Sequence, residues 1–274
     1  METDDGRHSS LAVARAAARV LAEGRAAALA TVVEGAGRVG SKLLVGESGD
    51  ALAGTTGDAS LDAAVAAHAP VFLASRAEAV TLKAGEFASG LEDPAAATRV
   101  LFERVEPEPH LVVCGAGHVG AGLARLASAT GYRVTLIDDR ADFLSRPRFP
   151  EERIELVVAD EWAAPVRRAI GTGRGVYAAV VTRGHNEDEE CMKAVLMARP
   201  DYVGMIGSRR RTNIVLARLR EAGFSEEDLR AVHAPVGLDL GAVTPEEVAL
   251  AILAEIVAFR RGGTGAPLSA FRRE

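Results

Sequence analysis

Cysteine is almost missing from this 274-residue chain, which holds only Cys114 and Cys191. Two cysteines cannot build a disulfide framework, so reduced thiols and a cytoplasmic setting are expected. Long apolar runs are missing too. None approaches the roughly 18 residues of a membrane-crossing helix, and the charged stretch 1–10 lacks the apolar core of an export signal. Positive charge is not in excess: 32 Lys and Arg face 38 Asp and Glu, a net charge of -6. No global attraction to nucleic acid follows from such a balance. Patterns of the form His-Glu-x-x-His, Cys-x-x-Cys and Gly-x-Ser-x-Gly do not occur, which removes common zinc, redox and serine-hydrolase signatures. Convergence of His118, His185 and His233 in space is the remaining route to a metal, and no metal site is assigned. What is present is ordinary for a soluble protein, 48% hydrophobic and 26% charged, enough for one large domain or two modest ones.

The first part reads as a small α+β domain over 1–105. Leu11, Ala14, Ala18 and Leu21 recur on one face of a helix over 11–23. Strands are expected at 28–33, 41–45, 70–73, 80–82 and 98–104, with turn signals at 35–40 and 46–57. Val105-Glu106-Pro107-Glu108-Pro109 is the boundary, because two prolines and two acids favour an exposed, extended segment.

From 110 to 262 strand and helix patterns alternate, as in an open parallel sheet. Strands are expected near 111–114, 133–137, 155–158, 177–181 and 202–206. Helices are expected near 118–130, 165–170, 188–198, 211–222 and 245–261, and a flexible tail over 263–274. The α/β fold class is therefore a Rossmann-like parallel sheet preceded by a smaller α+β domain. Its centre is Leu111-Val112-Val113-Cys114-Gly115-Ala116-Gly117-His118-Val119-Gly120. Gly115 suits the tight turn, Gly117 lets the backbone approach a phosphate, and Gly120 lets the helix pack close to the strand. The helix N-terminus offers free N–H groups to an anion.

Ligands in such sheets gather at the carboxyl ends of the strands. Five polar strand ends collect there: His118; Asp138-Asp139-Arg140; Asp160; Thr182 to Asn186; and Gly207-Ser208-Arg209-Arg210. Asp138 either accepts from a ribose diol or caps a turn. Arg209 and Arg210, with Gly207 and Ser208, either cradle a phosphate through their guanidinium forks or are solvated at a helix start. Arg211 is expected to face solvent. His185 and Asp188 stand three residues apart, as an oriented imidazole for proton transfer requires, or as a structural pair. Cys114 is either a small core thiol or a sulfur at the crevice. Asp239, in the shaped segment 233–241, caps or binds a ligand.

Four ordered segments resemble the XdhC/CoxI family, accessory proteins of molybdenum hydroxylases such as xanthine dehydrogenase and carbon monoxide dehydrogenase. They are the turn 114–120, Thr182-Arg183-Gly184-His185 with Asp188, Tyr202-Val203-Gly204-Met205-Ile206-Gly207-Ser208-Arg209-Arg210, and the run from His233 through Gly241 to Thr244-Pro245-Glu246-Glu247. In the first half, 28–33 and 40–45 resemble the family's opening hairpin. Gly54-Thr55-Thr56-Gly57-Asp58 stands where many members have a Gly-Ser-x-x-Gly-Gly-Cys loop followed by an acid. That cysteine is missing here, and Asp62 stands near the acid.

The resemblance implies a maturation chaperone rather than an independent enzyme. It would bind the molybdenum cofactor transiently, as molybdopterin or its cytosine dinucleotide. It would support sulfuration with a cysteine desulfurase and insertion into the apo-hydroxylase. Homodimer formation stays open. Two other readings are an NAD(P)-dependent oxidoreductase, with Asp138 on the ribose and His185 as acid or base, and a non-catalytic nucleotide-sensing partner.

Overall fold

The computed structural model describes residues 10–35, 38–75, 77–89 and 95–269, without the side chains of Ala95 and His185. They fall into two compact units that divide between Pro107 and Glu108. The first contains α1 (Ser10–Ala22), β1 (Ala27–Glu34), β2 (Lys42–Gly46), β3 (Ala51–Thr55), α2 (Ala59–Ala74), β4 (Ala79–Lys83), α3 (Ala84–Phe87) and β5 (Arg99–Val105). Its antiparallel sheet has the order β3-β2-β1-β5-β4. Side chains alternate across β1. Ala28, Ala30 and Val32 meet α2, whereas Ala27 packs with Val13 and Val20 of α1.

The strand expected at 70–73 is instead the end of α2. Asp58 caps that helix by accepting from Ser60 N and Leu61 N. Leu61, Val65, Ala69 and Phe72 then form one buried stripe that carries the helix through Pro70. The stretch 51–55, hidden among turn signals, forms edge strand β3 against β2.

The second unit contains β6 (His110–Cys114), α4 (His118–Ala129), β7 (Arg133–Asp138), β8 (Ile154–Val158), α5 (Ala163–Ile170), β9 (Val176–Val180), α6 (His185–Ala198), β10 (Tyr202–Met205), α7 (Arg209–Glu221), α8 (Glu226–Arg230), β11 (Val232–His233) and α9 (Pro245–Arg261). All its strand pairs are parallel, in the order β8-β7-β6-β9-β10-β11. Chain direction across the sheet reverses between β6 and β9, where such sheets open a crevice. Leu111 and Val113 face the layer of α4 and α9, and Val112 and Cys114 face that of α5 and α6. Of the tail, 270–274 lie outside the described residues.

His110, buried at the start of β6, has a fixed tautomer. Thr135 Oγ1 donates to Glu155 (3.1 Å) and accepts from His110 Nε2 (2.9 Å), so Nδ1 accepts from Arg133 (2.9 Å). A second ring proton would meet that guanidinium. Burial and the Arg133 charge hold the pKa down to about 4, from 6.5. Between those values the unfolded chain binds the extra proton, so stability declines as pH falls and is regained above about 6.5. The contribution is up to about 3 kcal/mol, at ~1.4 kcal/mol per pH unit. Urea midpoints at pH 7 and pH 4.5 check this, and the drop should shrink in His110→Gln.

Candidate functional site

The rim begins at the glycine turn. Gly115 has φ +112, and a Cβ there would lie 2.6 Å from Val181 O. A Cβ on Gly120 would lie 1.8 Å from Gly115 O, so close packing of helix and strand requires glycine at both positions. At Gly117 a Cβ would meet nothing within 4 Å. The turn is built tightly at both ends and open at its middle. Gly117 starts α4 without a side-chain cap, and His118 is exposed at the first helical position.

Asp138, at the end of β7, turns inward. Its Oδ2 accepts from Ala116 N (2.6 Å) and Arg140 Nη2 (2.9 Å), and its Oδ1 accepts from Arg140 N (2.9 Å) and Nε (2.8 Å). Burial opposes the charge, but the bonds from Arg140 and Ala116 N together hold this carboxyl below its usual range. Asp138 thus braces the glycine turn, and Arg140 covers it. Asp139 is exposed and accepts from Arg183 Nη2 at 2.8 Å. Asp160 is exposed as well.

At the ends of β9 and β10 the structure corrects an expectation. Arg211 does not face solvent: its Nε donates to Asp188 Oδ2 (2.6 Å) and its Nη2 to Thr182 O (3.2 Å). Thr182 Oγ1 donates to the other oxygen of Asp188, whose side chain is fully buried. Asp188 therefore fastens α6 and α7 to the end of β9. Whether the oriented pair with His185 forms lies outside the described residues; the helix itself begins at His185.

Ser208 caps α7 by accepting from Arg211 N, and Gly207, with φ +153, makes the turn before it. Arg209 and Arg210 then project at the start of α7, exposed and without an ion-pair partner among the described residues. Successive helical residues lie about 100° apart, so three arginines in a row point in three different directions. That spacing was the available signal for Arg211.

Two further residues leave the site. Cys114 is fully buried in the core beside Cys191. Burial, then this neighbour, pushes the Cys191 thiol up. The expectation of a crevice sulfur fails because Cys114 points to the α5 and α6 layer. His233 Nδ1 pairs with Glu255, which also accepts from Gly237 N, so this histidine anchors the 233–241 segment on α9. No three His, Cys, Asp or Glu side chains gather as a metal site among the described residues. Asp239 is exposed and caps no helix; α9 is capped by Thr244.

In the first unit, the loop around Gly54–Asp58 is closed by Asp62. It accepts from Thr55 Oγ1 (2.6 Å), Thr56 N (2.7 Å) and Thr56 Oγ1 (2.6 Å). No sulfur is available there.

A parallel sheet of this order with a glycine turn at its crossover defines a Rossmann-type domain. The profile of the XdhC Rossmann domain matches residues 111–256, and that of the XdhC and CoxI family matches residues 12–83. The chain belongs to this family. It is 28% identical over 164 residues to a probable xanthine dehydrogenase component of Bacillus subtilis, covering 60% of this chain and 47% of that protein. It is 28% identical over 154 residues to the molybdenum cofactor insertion chaperone PaoD of Escherichia coli, covering 56% and 41% respectively. The chain thus spans less than half the length of either relative. A solved structure of a xanthine dehydrogenase from Bacillus halodurans shares the fold, with a TM-score of 0.63 at 20% identity over 89% of this chain and 65% of that one. No helix among the described residues is long and apolar enough to cross a membrane.

Proposed function

We propose that this chain is an accessory protein of molybdenum hydroxylases that holds the molybdenum cofactor at the sheet rim and passes it to the apo-enzyme. The observation that carries this reading is an open glycine turn at Gly117 together with Arg209 and Arg210, both exposed and unpaired among the described residues. Only β9 separates β6 from β10, so the two anion-binding ends lie about 10 Å apart at ~4.8 Å per strand. A Rossmann crevice of this kind accommodates a dinucleotide, which favours the cytosine dinucleotide form over molybdopterin. His118, Ser208 and Asp239 are assigned to the margins of the same crevice, and His185 to proton control beside it. Exposed arginines also suit cargo that must leave, because their bonds compete with water. Sulfur would be delivered to the held cofactor by a cysteine desulfurase directly, since both cysteines of this chain are buried.

The test replaces Arg209 and Arg210 together with alanine. Each charge-assisted bond contributes about 1.5–3 kcal/mol, so cofactor affinity should fall at least about tenfold. The thermal midpoint should hold, because both side chains lie outside the core. Lysine at both positions should restore part of the affinity, keeping charge but losing the fork. Unchanged affinity in the double-alanine variant would place the phosphate elsewhere.

A further inference from the structure

Beside Asp138 the chain builds an alternating stack of guanidinium groups and phenyl rings. The Arg140 guanidinium lies 3.7 Å from the centre of the Phe143 ring, and Arg148 lies 5.0 Å from the same ring. Arg148 and Arg125 then approach Phe149 at 5.3 and 5.0 Å. Three cations therefore share two rings. Arg140 is neutralised by Asp138, and Arg125 stands 3.9 Å from Glu151. Arg148, half-buried, has no carboxylate within ion-pairing distance among the described residues, and its Nη1 donates only to Phe143 O (2.9 Å). Burial, then the charge of Arg125, lowers the pKa of this guanidinium. A half-buried cation between two others is costly unless an anion joins it. Arg148 also lines a cleft of about 480 Å³ that runs from His118 along α4 past Arg125 to Leu250 of α9. The cleft thus starts at the glycine turn.

We infer that Arg148, flanked by Arg140 and Arg125, is a subsite for a phosphomonoester on the ribose of a nucleotide held at the glycine turn: the 2′-phosphate of a 2′-phosphorylated nucleotide. In this fold the ribose lies beside the end of the second strand, where an acid takes the 2′-hydroxyl or an arginine takes a 2′-phosphate. Here Asp138 is taken up by Ala116 N and Arg140 and Asp139 by Arg183, and although Glu246 and Glu247 also line the cleft, Arg148 is the group at this strand end without an ion-pair partner among the described residues. Guanidinium forks already packed beside rings match phosphate geometry with less ordering left to do. The inference rests on the glycine turn holding a nucleotide phosphate and is independent of the pterin and of Arg209 and Arg210.

Calorimetric titration of the full chain with adenosine 2′,5′-bisphosphate, adenosine 3′,5′-bisphosphate, adenosine 5′-monophosphate and inorganic phosphate tests it. The 2′,5′-isomer should bind at least about tenfold more tightly than the 5′-monophosphate and than its 3′,5′-isomer of equal charge. Arg148→Gln should abolish that advantage and leave affinity for the 5′-monophosphate unchanged. If Arg148→Gln lowers the thermal midpoint, Arg148→Lys, which keeps the charge, should retain the fold and an intermediate advantage. The Arg209→Ala/Arg210→Ala variant should keep the full 2′ preference, which separates this subsite from the cofactor cradle. Equal affinity for the two bisphosphates, inorganic phosphate alone accounting for the binding, or no binding of any nucleotide would overturn the assignment.

Discussion

Arg211→Ala is expected to destabilise the C-terminal unit by about 3–5 kcal/mol, the range for breaking one side of a buried ion pair. The loss comes from Asp188 rather than from the arginine itself. Asp188 has no exposed side-chain surface, and without Arg211 its Oδ2 loses the 2.6 Å bond that compensates for burial. Thr182 still serves Oδ1, but the charge-assisted bonds from Arg211 to a fully buried carboxylate are gone. Urea unfolding followed by circular dichroism reads the effect as a lowered midpoint. The pair Asp188→Leu with Arg211→Met should cost much less, because well-packed apolar replacements often equal a buried pair. If Arg211→Ala cost under about 1 kcal/mol, the surface-pair range, the fastening role given to Asp188 would be wrong.

The second large effect separates two glycines three residues apart. Gly120→Ala should destabilise by about 3 kcal/mol or more, since its methyl would sit 1.8 Å from a main-chain oxygen that cannot swing away. Gly117→Ala should change stability by no more than about 1 kcal/mol, the cost of a poorer helix cap. Its backbone, with φ −64 and ψ −170, is open to any residue, and its Cβ would meet no protein atom. Ligand affinity should nevertheless fall in Gly117→Ala, because the methyl occupies the space through which a phosphate approaches the turn. Thermal melting and cofactor titration on the same two variants distinguish the roles. A Gly117→Ala protein with full affinity would move the phosphate away from the turn.

The parallel sheet was legible because strands buried on both faces read as unbroken apolar runs. Val112, Ala178 and Val203 lie at the centre of such runs, and each strand expected from 110 onward is found within a residue or two. The antiparallel half was harder. Pro70 signalled a break, yet the stripe of Leu61, Val65, Ala69 and Phe72 outweighed it, and β3 gains its partner only from β2. At the rim, residue types were legible and their partners were not. Asp138 invites a ribose in sequence, but the main chain of the glycine turn and Arg140 reach it first. Arg211 looks like its two neighbours until the helix start assigns them different directions. The stack joining Arg140 to Arg125 through two phenyl rings involves α4, the end of β7 and the segment before β8, which no local pattern connects.

Equilibrium dialysis of the purified full chain against molybdopterin cofactor and its cytosine dinucleotide form tests cofactor holding most directly. Saturable binding is expected, tighter for the dinucleotide form and weakened at least about tenfold in Arg209→Ala/Arg210→Ala. Absence of saturable binding for both forms would contradict the account.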